Sequence, residues 1–269
     1  MKKTSSCVLI LLLCFVVVSI PQIAVVKAEG TIYIKEDGKV TGTDKIQRDG
    51  SYYSLIGDIE IPTADYGIFI EKGNIVIDGL GHTLKGNEDC LGFHLNENDN
   101  VTIKNLVFKN FDYGIAYFGD YCNVEGNEIN GGHMGIYLMG AYHCTIVGNE
   151  LLDNFIDVRL IDSYDNNITG NNIGRLVWNM WMNLSPGDNY FSSNYWKTYE
   201  GVDDDGDGFG DTPHVAYWLS NDKDVGCYDN KPLMKPIVIP EFPSWIILPL
   251  FLMATLSVIV ARKKLLKTS

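Results

Sequence analysis

The chain has 269 residues, of which 46% are hydrophobic and 20% charged, with 34 acidic against 21 basic residues and a formal net charge of −13. That balance excludes an electrostatic nucleic-acid binder, because phosphate would be repelled, and it favours divalent cations instead. Six cysteines spread over such a length are no disulfide framework.

The amino terminus reads as a secretory signal. Lys2 and Lys3 form a basic start, Cys7 to Ile20 is almost wholly apolar, and Val26-Lys27-Ala28 offers a cleavage site. Residues 1–28 are expected to leave with cleavage after Ala28; an uncleaved signal anchor is the alternative. Cys7 and Cys14 lie in this segment, so Cys90, Cys122, Cys144 and Cys227 remain. The signal and the basic tail hold seven of the basic residues and none of the acidic ones. The exported part therefore carries 14 basic and 34 acidic residues, a balance of −20. Residues 29–63 form an amino-terminal segment in which Ser51 to Ile61 reads as a strand that could cap an open sheet end.

Residues 64–200 repeat. Gly followed by an apolar residue occurs at Gly67, Gly92, Gly114 and Gly135, and in degraded form at Asp157, in steps of 25, 22, 21 and 22. A second motif places Asn127, Asn149, Asn171 and Asn194 at steps of 22, 22 and 23. Each unit alternates apolar and polar residues with period two, and none has helical periodicity. A propeller would need a period of about 40 or more. The expected fold is an all-β, single-stranded, right-handed parallel β-helix (solenoid) of about six coils, a rod roughly 30 Å long. Its columns follow. Ile68, Phe93, Ile115, Ile136, Val158 and Met180 should point inward, as should Ile70, Leu95, Tyr117, Leu138, Leu160 and Met182. Ile103, Val124, Ile146, Ile168 and Phe191 form a third inward column, and the four asparagines an amide ladder. Phe69, His94, Ala116, Tyr137, Arg159 and Trp181 should point outward, a strip of rings and an arginine suited to sugars or else a surface covered by the amino-terminal segment or by a partner.

Asn74 to Gly86, reading Asn-Ile-Val-Ile-Asp-Gly-Leu-Gly-His-Thr-Leu-Lys-Gly, resembles the opening coil of right-handed parallel β-helix repeat proteins. Asn194 to Pro213, with Asp229 to Met234, is similar to the closing segment of NosD-type members. The resemblance covers residues 31 to 236 or so. It implies a β-helix linked to carbohydrate binding and processing, and its namesake is tied to copper insertion into a periplasmic reductase. Fold follows from such a likeness more firmly than function.

The closing segment, residues 201–236, carries the sharpest chemical pattern. Asp203, Asp205, Asp207 and Asp211 stand at positions 1, 3, 5 and 9 of a loop with Gly208 at 6, and Phe209 would add its carbonyl. The pattern resembles EF-hand-like and thrombospondin-type calcium loops and implies a structural Ca2+. It departs from them in having His214 at position 12 in place of Glu, so weaker binding, or a ligand from elsewhere such as Asp229, is expected. The alternative is a solvated acidic turn.

Cys122 and Cys144 lie one coil apart in the same phase, within disulfide range or as a ladder of free thiols. A soft-metal set would add His133, Met134, Met139 and His143, but no tight spacing gathers them and copper is not expected. Asn100, Asn167 and Asn183 head glycosylation sequons.

Residues 237–244 are a linker containing Pro240-Glu241-Phe242-Pro243. Residues 245–261 are uncharged and apolar, and residues 262–269 include Arg262, Lys263 and Lys264. Seventeen residues are near the lower limit of a spanning helix, and the basic tail should stay cytoplasmic. The motif, span and tail resemble an archaeal PEF-type carboxy-terminal sorting signal, which implies a sorting enzyme acting at the motif. A plain stop-transfer helix is the alternative.

The expectation is an exported, membrane-anchored surface protein, a non-catalytic module for polysaccharide or cell-envelope glycan. A polysaccharide lyase, epimerase or hydrolase would need a cluster such as Asp157, Arg159, Tyr137 and His133, which matches no catalytic motif. A structural wall component or adhesin, and a copper-handling protein, are the other classes.

Overall fold

The computed structural model describes residues 26–27, 30–179, 189–218 and 226–238. The signal up to residue 25, the PEF-type motif, the span at 245–261, the basic tail, and Met180, Trp181, Met182 and Asn183 lie outside the described residues. Among the described residues no helix is long and apolar enough to cross a membrane.

The period-two alternation appears as three short strands per coil. One coil runs Leu91–His94, then Val101–Lys104, then Val107–Lys109, before Tyr113–Ala116 opens the next. Each strand hydrogen-bonds in parallel to its counterparts one coil before and after, so three sheets of eight, eight and ten strands enclose the core of a solenoid of about six turns. Side chains alternate about each strand, so one residue in two enters the interior. Ile68, Phe93, Ile115, Ile136 and Val158 pair in register and are fully buried. Ile103, Val124, Ile146, Ile168 and Phe191 do the same on the next sheet.

The glycine column has a steric cause. A Cβ on Gly92 would stand 2.4 Å from the Gly114 carbonyl oxygen, and one on Gly114 would stand 2.6 Å from that of Gly135. Successive coils pass too closely there for any side chain.

The amide ladder is continuous. Asn127 donates from its backbone N–H and from Nδ2 to Asn149 Oδ1 at 2.9 and 3.1 Å, Asn149 likewise to Asn171, and Asn171 likewise to Asn194. Each amide also ties the coil before it, as Asn149 Nδ2 does with the Val124 carbonyl at 2.9 Å. These bonds satisfy buried polar backbone that a turn would otherwise strand.

Two expected columns change course. Val158 pairs with Leu176, a step of 18 residues, so Leu176 and not the expected Met180 stands opposite it in register. In the same way the register partner of Leu160 is Trp178 and not the expected Met182. The cause is a short corner. The chain uses seven residues from Leu151 to Val158 but three from Ile173 to its partner Leu176. The buried Asp157 holds this corner, its Oδ2 accepting from the Arg175 N–H at 2.5 Å. An N–H therefore faces position 157, where earlier coils present a carbonyl oxygen to Gly. Tyr117 also leaves the interior. Its φ of 59° turns the chain, and Phe118 is buried in its place.

Both ends are blunted against edge pairing. Ile32–Ile34 joins Tyr66–Ile70 in parallel, and Tyr52–Leu55 and Ile59–Glu60 pair with the next coil, so residues 32–60 make a first coil. Val40–Thr41 and Ile46–Asp49 then fold back antiparallel over its outer edges. Val26–Lys27, which cleavage after Ala28 would remove, pairs with Ile59–Glu60. At the far end Gly226–Asp229 lies parallel to Tyr190–Ser192 and antiparallel to His214–Trp218.

Candidate functional site

The outer face of the second sheet is aromatic. Phe69, His94, Ala116, Tyr137 and Arg159 are neighbours in register on consecutive strands. Ala116, expected to point outward, is buried; the left-handed turn at Tyr117 swings the adjacent ring into the gap. The row therefore runs Tyr33, Phe69, His94, Tyr117, Tyr137, Arg159. Phe69 stacks on His94 at 4.6 Å and His94 on Tyr117 at 4.5 Å. Tyr33 meets Phe69 at 5.7 Å, Tyr117 meets Tyr137 edge-on at 5.7 Å, and the Arg159 guanidinium lies 5.7 Å from the Tyr137 ring centre. Trp181 lies outside the described residues, and Val177 is the register partner of Arg159.

A second row, absent from the sequence reading, runs beside the first at the strand starts. Tyr66 touches Phe69 and His94 edge-on. Further along, Tyr113 meets Tyr137 at 5.6 Å and His133 at 6.2 Å, and His133 stacks on Phe155 at 5.4 Å. The Arg175 guanidinium caps Phe155 at 5.1 Å. Tyr66 and Tyr113 share one phase of their coils, and His133 and Phe155 share the phase one residue before it, so the 22-residue period carries the signal for this row. Burial pushes the Tyr113 and Tyr137 hydroxyls up, so both stay protonated donors.

Burial also pushes the His94 imidazole below its ordinary value. The unfolded chain then binds the proton first. This histidine's contribution is fully present above a pH of about 6.5 and is lost as pH falls through the folded-state value. Thermal melting at about pH 7.5 and about pH 5 should show a smaller acid-induced loss in His94→Phe than in the parent chain.

The aspartate loop is ordered by its own backbone. Asp203 Oδ1 accepts from the Gly206 and Asp207 N–H groups at 2.8 and 3.1 Å, and its Oδ2 from Gly208 at 3.0 Å. Gly206 and Gly208 have φ of 75° and 90°, which lets the chain wrap around the carboxylates. Asp203, Asp205 and Asp207 each bring one oxygen within 4.8 Å of the others. Asp211 instead closes the loop by accepting from the Asp204 N–H at 2.7 Å, and Phe209 bridges to Leu233. His214 turns to Trp196, with ring centres 4.6 Å apart.

Asp229, the residue suggested as a further ligand, is occupied by hydrogen bonds. It is fully buried, and its carboxylate accepts from the N–H groups of Ser193, Asn194 and Lys231, from Asn194 Nδ2 and from Trp196 Nε1, all at 3.0–3.1 Å. It ends the amide ladder, whose last donor would otherwise have no acceptor.

Cys122 and Cys144 are free buried thiols whose sulfurs donate to the Asn98 and Gly119 carbonyls at 3.4 and 3.3 Å. The hydrogen bond to the Cys122 sulfur, then burial, push the Cys144 thiol up. The soft-metal residues do not converge. His133 lies 3.3 Å from Asp112 Oδ1, Met139 accepts from the Tyr137 hydroxyl, and His143 stacks on Tyr121. Among the described residues, the three aspartates are the one cluster of potential ligands, and hard oxygens suit calcium rather than cuprous copper. Of the residues in the catalytic alternative, Arg159 lies over the Tyr137 ring, Asp157 is buried and tied to Asn154 and Arg175, and His133 turns to Asp112. Asn100 and Asn167 are exposed.

A family model described as "Periplasmic copper-binding protein (NosD)" matches residues 41–201, more than half of the chain. No curated protein and no solved structure matches.

Proposed function

The chain belongs to the NosD family, and from that premise we propose that it is an exported surface module that binds carbohydrate without cleaving it. The observation that carries this reading is the aromatic row, which occupies five consecutive coils of one sheet from Tyr33 to Tyr137 and ends under Arg159. Phe69, His94 and Tyr117 cover one another's faces. They therefore offer ring edges, a hydroxyl and an imidazole nitrogen to a chain lying along the rod, while Tyr137 and Arg159 supply further hydrogen bonds to sugar hydroxyls. The family's exported character agrees with the secretory signal. The span at 245–261 would hold the module at the membrane, with the PEF-type motif open to a sorting enzyme.

The test is retention of the full chain, in detergent, on a panel of immobilised polysaccharides. Tyr137→Ala is expected to reduce retention about tenfold while leaving the melting temperature within a few degrees, since the ring is half-exposed. Equal retention of parent and variant would remove the aromatic row from consideration.

A calcium ion held by Asp203, Asp205 and Asp207 would fix the closing segment on the last coil. These oxygens would otherwise repel one another, so chelation is expected to lower the melting temperature by several degrees, about 1–2 kcal/mol for a chain of this size. Asp205→Asn should abolish that difference. A melting curve indifferent to chelator sinks the claim.

A further inference from the structure

The fold treats the two described Asn-x-Thr sequons differently. Asn167–Thr169 is a strand of the ten-stranded sheet. Side chains alternate along it, so Ile168 is fully buried while Asn167 and Thr169 point outward on the same side. The acceptor amide and the hydroxyl two residues on, which together define a sequon, are therefore presented side by side. Asn167 is exposed, and among the described residues its side-chain amide has no hydrogen-bond partner. Its register partner one coil on is Tyr190, a residue 60% exposed. Asn100, by contrast, precedes its strand in a left-handed turn with φ of 54°, outside the alternation that carries Thr102. Asn100 Nδ2 donates to Asn74 Oδ1 at 3.0 Å, and the Thr102 hydroxyl accepts from Asn123 Nδ2 at 3.4 Å. Both halves of that sequon are already bonded.

We propose that Asn167 carries an N-linked glycan whose first sugar packs on the Tyr190 ring, and that Asn100 stays bare. The proposal rests on the export reading above, because the donor, a lipid-phosphate-linked oligosaccharide, and its membrane transferase would act on the outer side. In the transfer the bond from Asn167 Nδ2 to the sugar C1 forms, and the bond from C1 to the lipid phosphate oxygen breaks. The phosphate leaves with the electron pair, and the amide gives one proton to a base of the transferase. Neighbouring strands lie about 4.8 Å apart, so a sugar on Asn167 starts beside the Tyr190 ring and can lay an apolar face on it. The aromatic row from Phe69 to Arg159 lies on a different sheet, which the glycan leaves open.

The experiment is peptide mapping by mass spectrometry of the full chain purified from its own cells. Beforehand the intact cells are labelled with an impermeant amine reagent, which reaches exposed lysines such as Lys109 only in an exported chain. The expected result is a labelled chain in which the Asn167 peptide is heavier by a whole number of sugars and the Asn100 peptide is not. Thr169→Ala should remove the added mass and Thr169→Ser should keep it, which separates loss of the sequon from loss of the fold. Tyr190→Ala should lower the melting temperature of the glycosylated chain by about 3 °C and leave that of Asn167→Gln unchanged. An equal drop in both chains would overturn the packing on Tyr190, and sugar on Asn100 would overturn the discrimination between sequons. A bare Asn167 in a labelled chain overturns the glycan and leaves export standing. A bare Asn167 in an unlabelled chain overturns both.

Discussion

Asp229→Ala is expected to lower the unfolding free energy by about 4 kcal/mol, a drop in melting temperature on the order of 10 °C. The residue is fully buried, and its two oxygens accept five hydrogen bonds. Removing them strands the Trp196 indole N–H, the Asn194 amide and nearby backbone donors in an interior that water enters poorly. Each such group costs about 1–3 kcal/mol when unsatisfied, partly relieved as the closing segment loosens. Because a solenoid's coils contact only their neighbours, the loss should be local. Limited proteolysis should cut the variant between Trp196 and Leu233 while the earlier coils stay intact. Asp229→Asn should fall between, since one amide nitrogen would then face donors. A variant that melts with the parent would show that Asp229 does not latch the end.

Gly114→Ala should be nearly as damaging, by about 3 kcal/mol or more, although it adds one methyl group. The new Cβ would lie 2.6 Å from the Gly135 carbonyl oxygen and 2.3 Å from Ile129 Cγ2. The carbonyl belongs to the next coil's backbone, so relief requires the coils to part. Gly140→Ala provides the contrast. Its φ is 65° but a Cβ there meets nothing within 4 Å, so only backbone strain of about 1 kcal/mol is expected. Urea unfolding of the three proteins separates the two causes. Equal loss at both positions would mean that conformational strain, and not coil spacing, governs the glycine column.

Much of this was legible in the sequence because a solenoid repeats one local solution. Gly67, Gly92, Gly114 and Gly135 share a phase because their coils share a spacing, and Asn127, Asn149, Asn171 and Asn194 share one because each amide bonds its copy one coil away. Period alone therefore yields strand direction, core columns and the amide ladder. It also yields Phe69, His94, Tyr137 and Arg159 on one outer face.

The tertiary structure decided what departs from the period. Tyr117 replaces Ala116 in the aromatic row because one left-handed residue inverts the alternation, which composition cannot announce. The coil after Val158 closes in 18 residues because Asp157 anchors a tight corner, so the register shifts on that sheet while Ile168 still pairs with Phe191 and Ile173 with Trp196. Phe155 and Arg175 are 20 residues apart in the chain, yet their side chains meet at the arginine end of the face. Asp229 looks from sequence like one more acid near the aspartate loop, but the returning strand carries it inside. There the exhausted ladder needs an acceptor, and burial makes that need strong enough to hold a carboxylate. Local spacing was enough for what each coil does alone, and only the stacking of coils could determine which side chains meet across them.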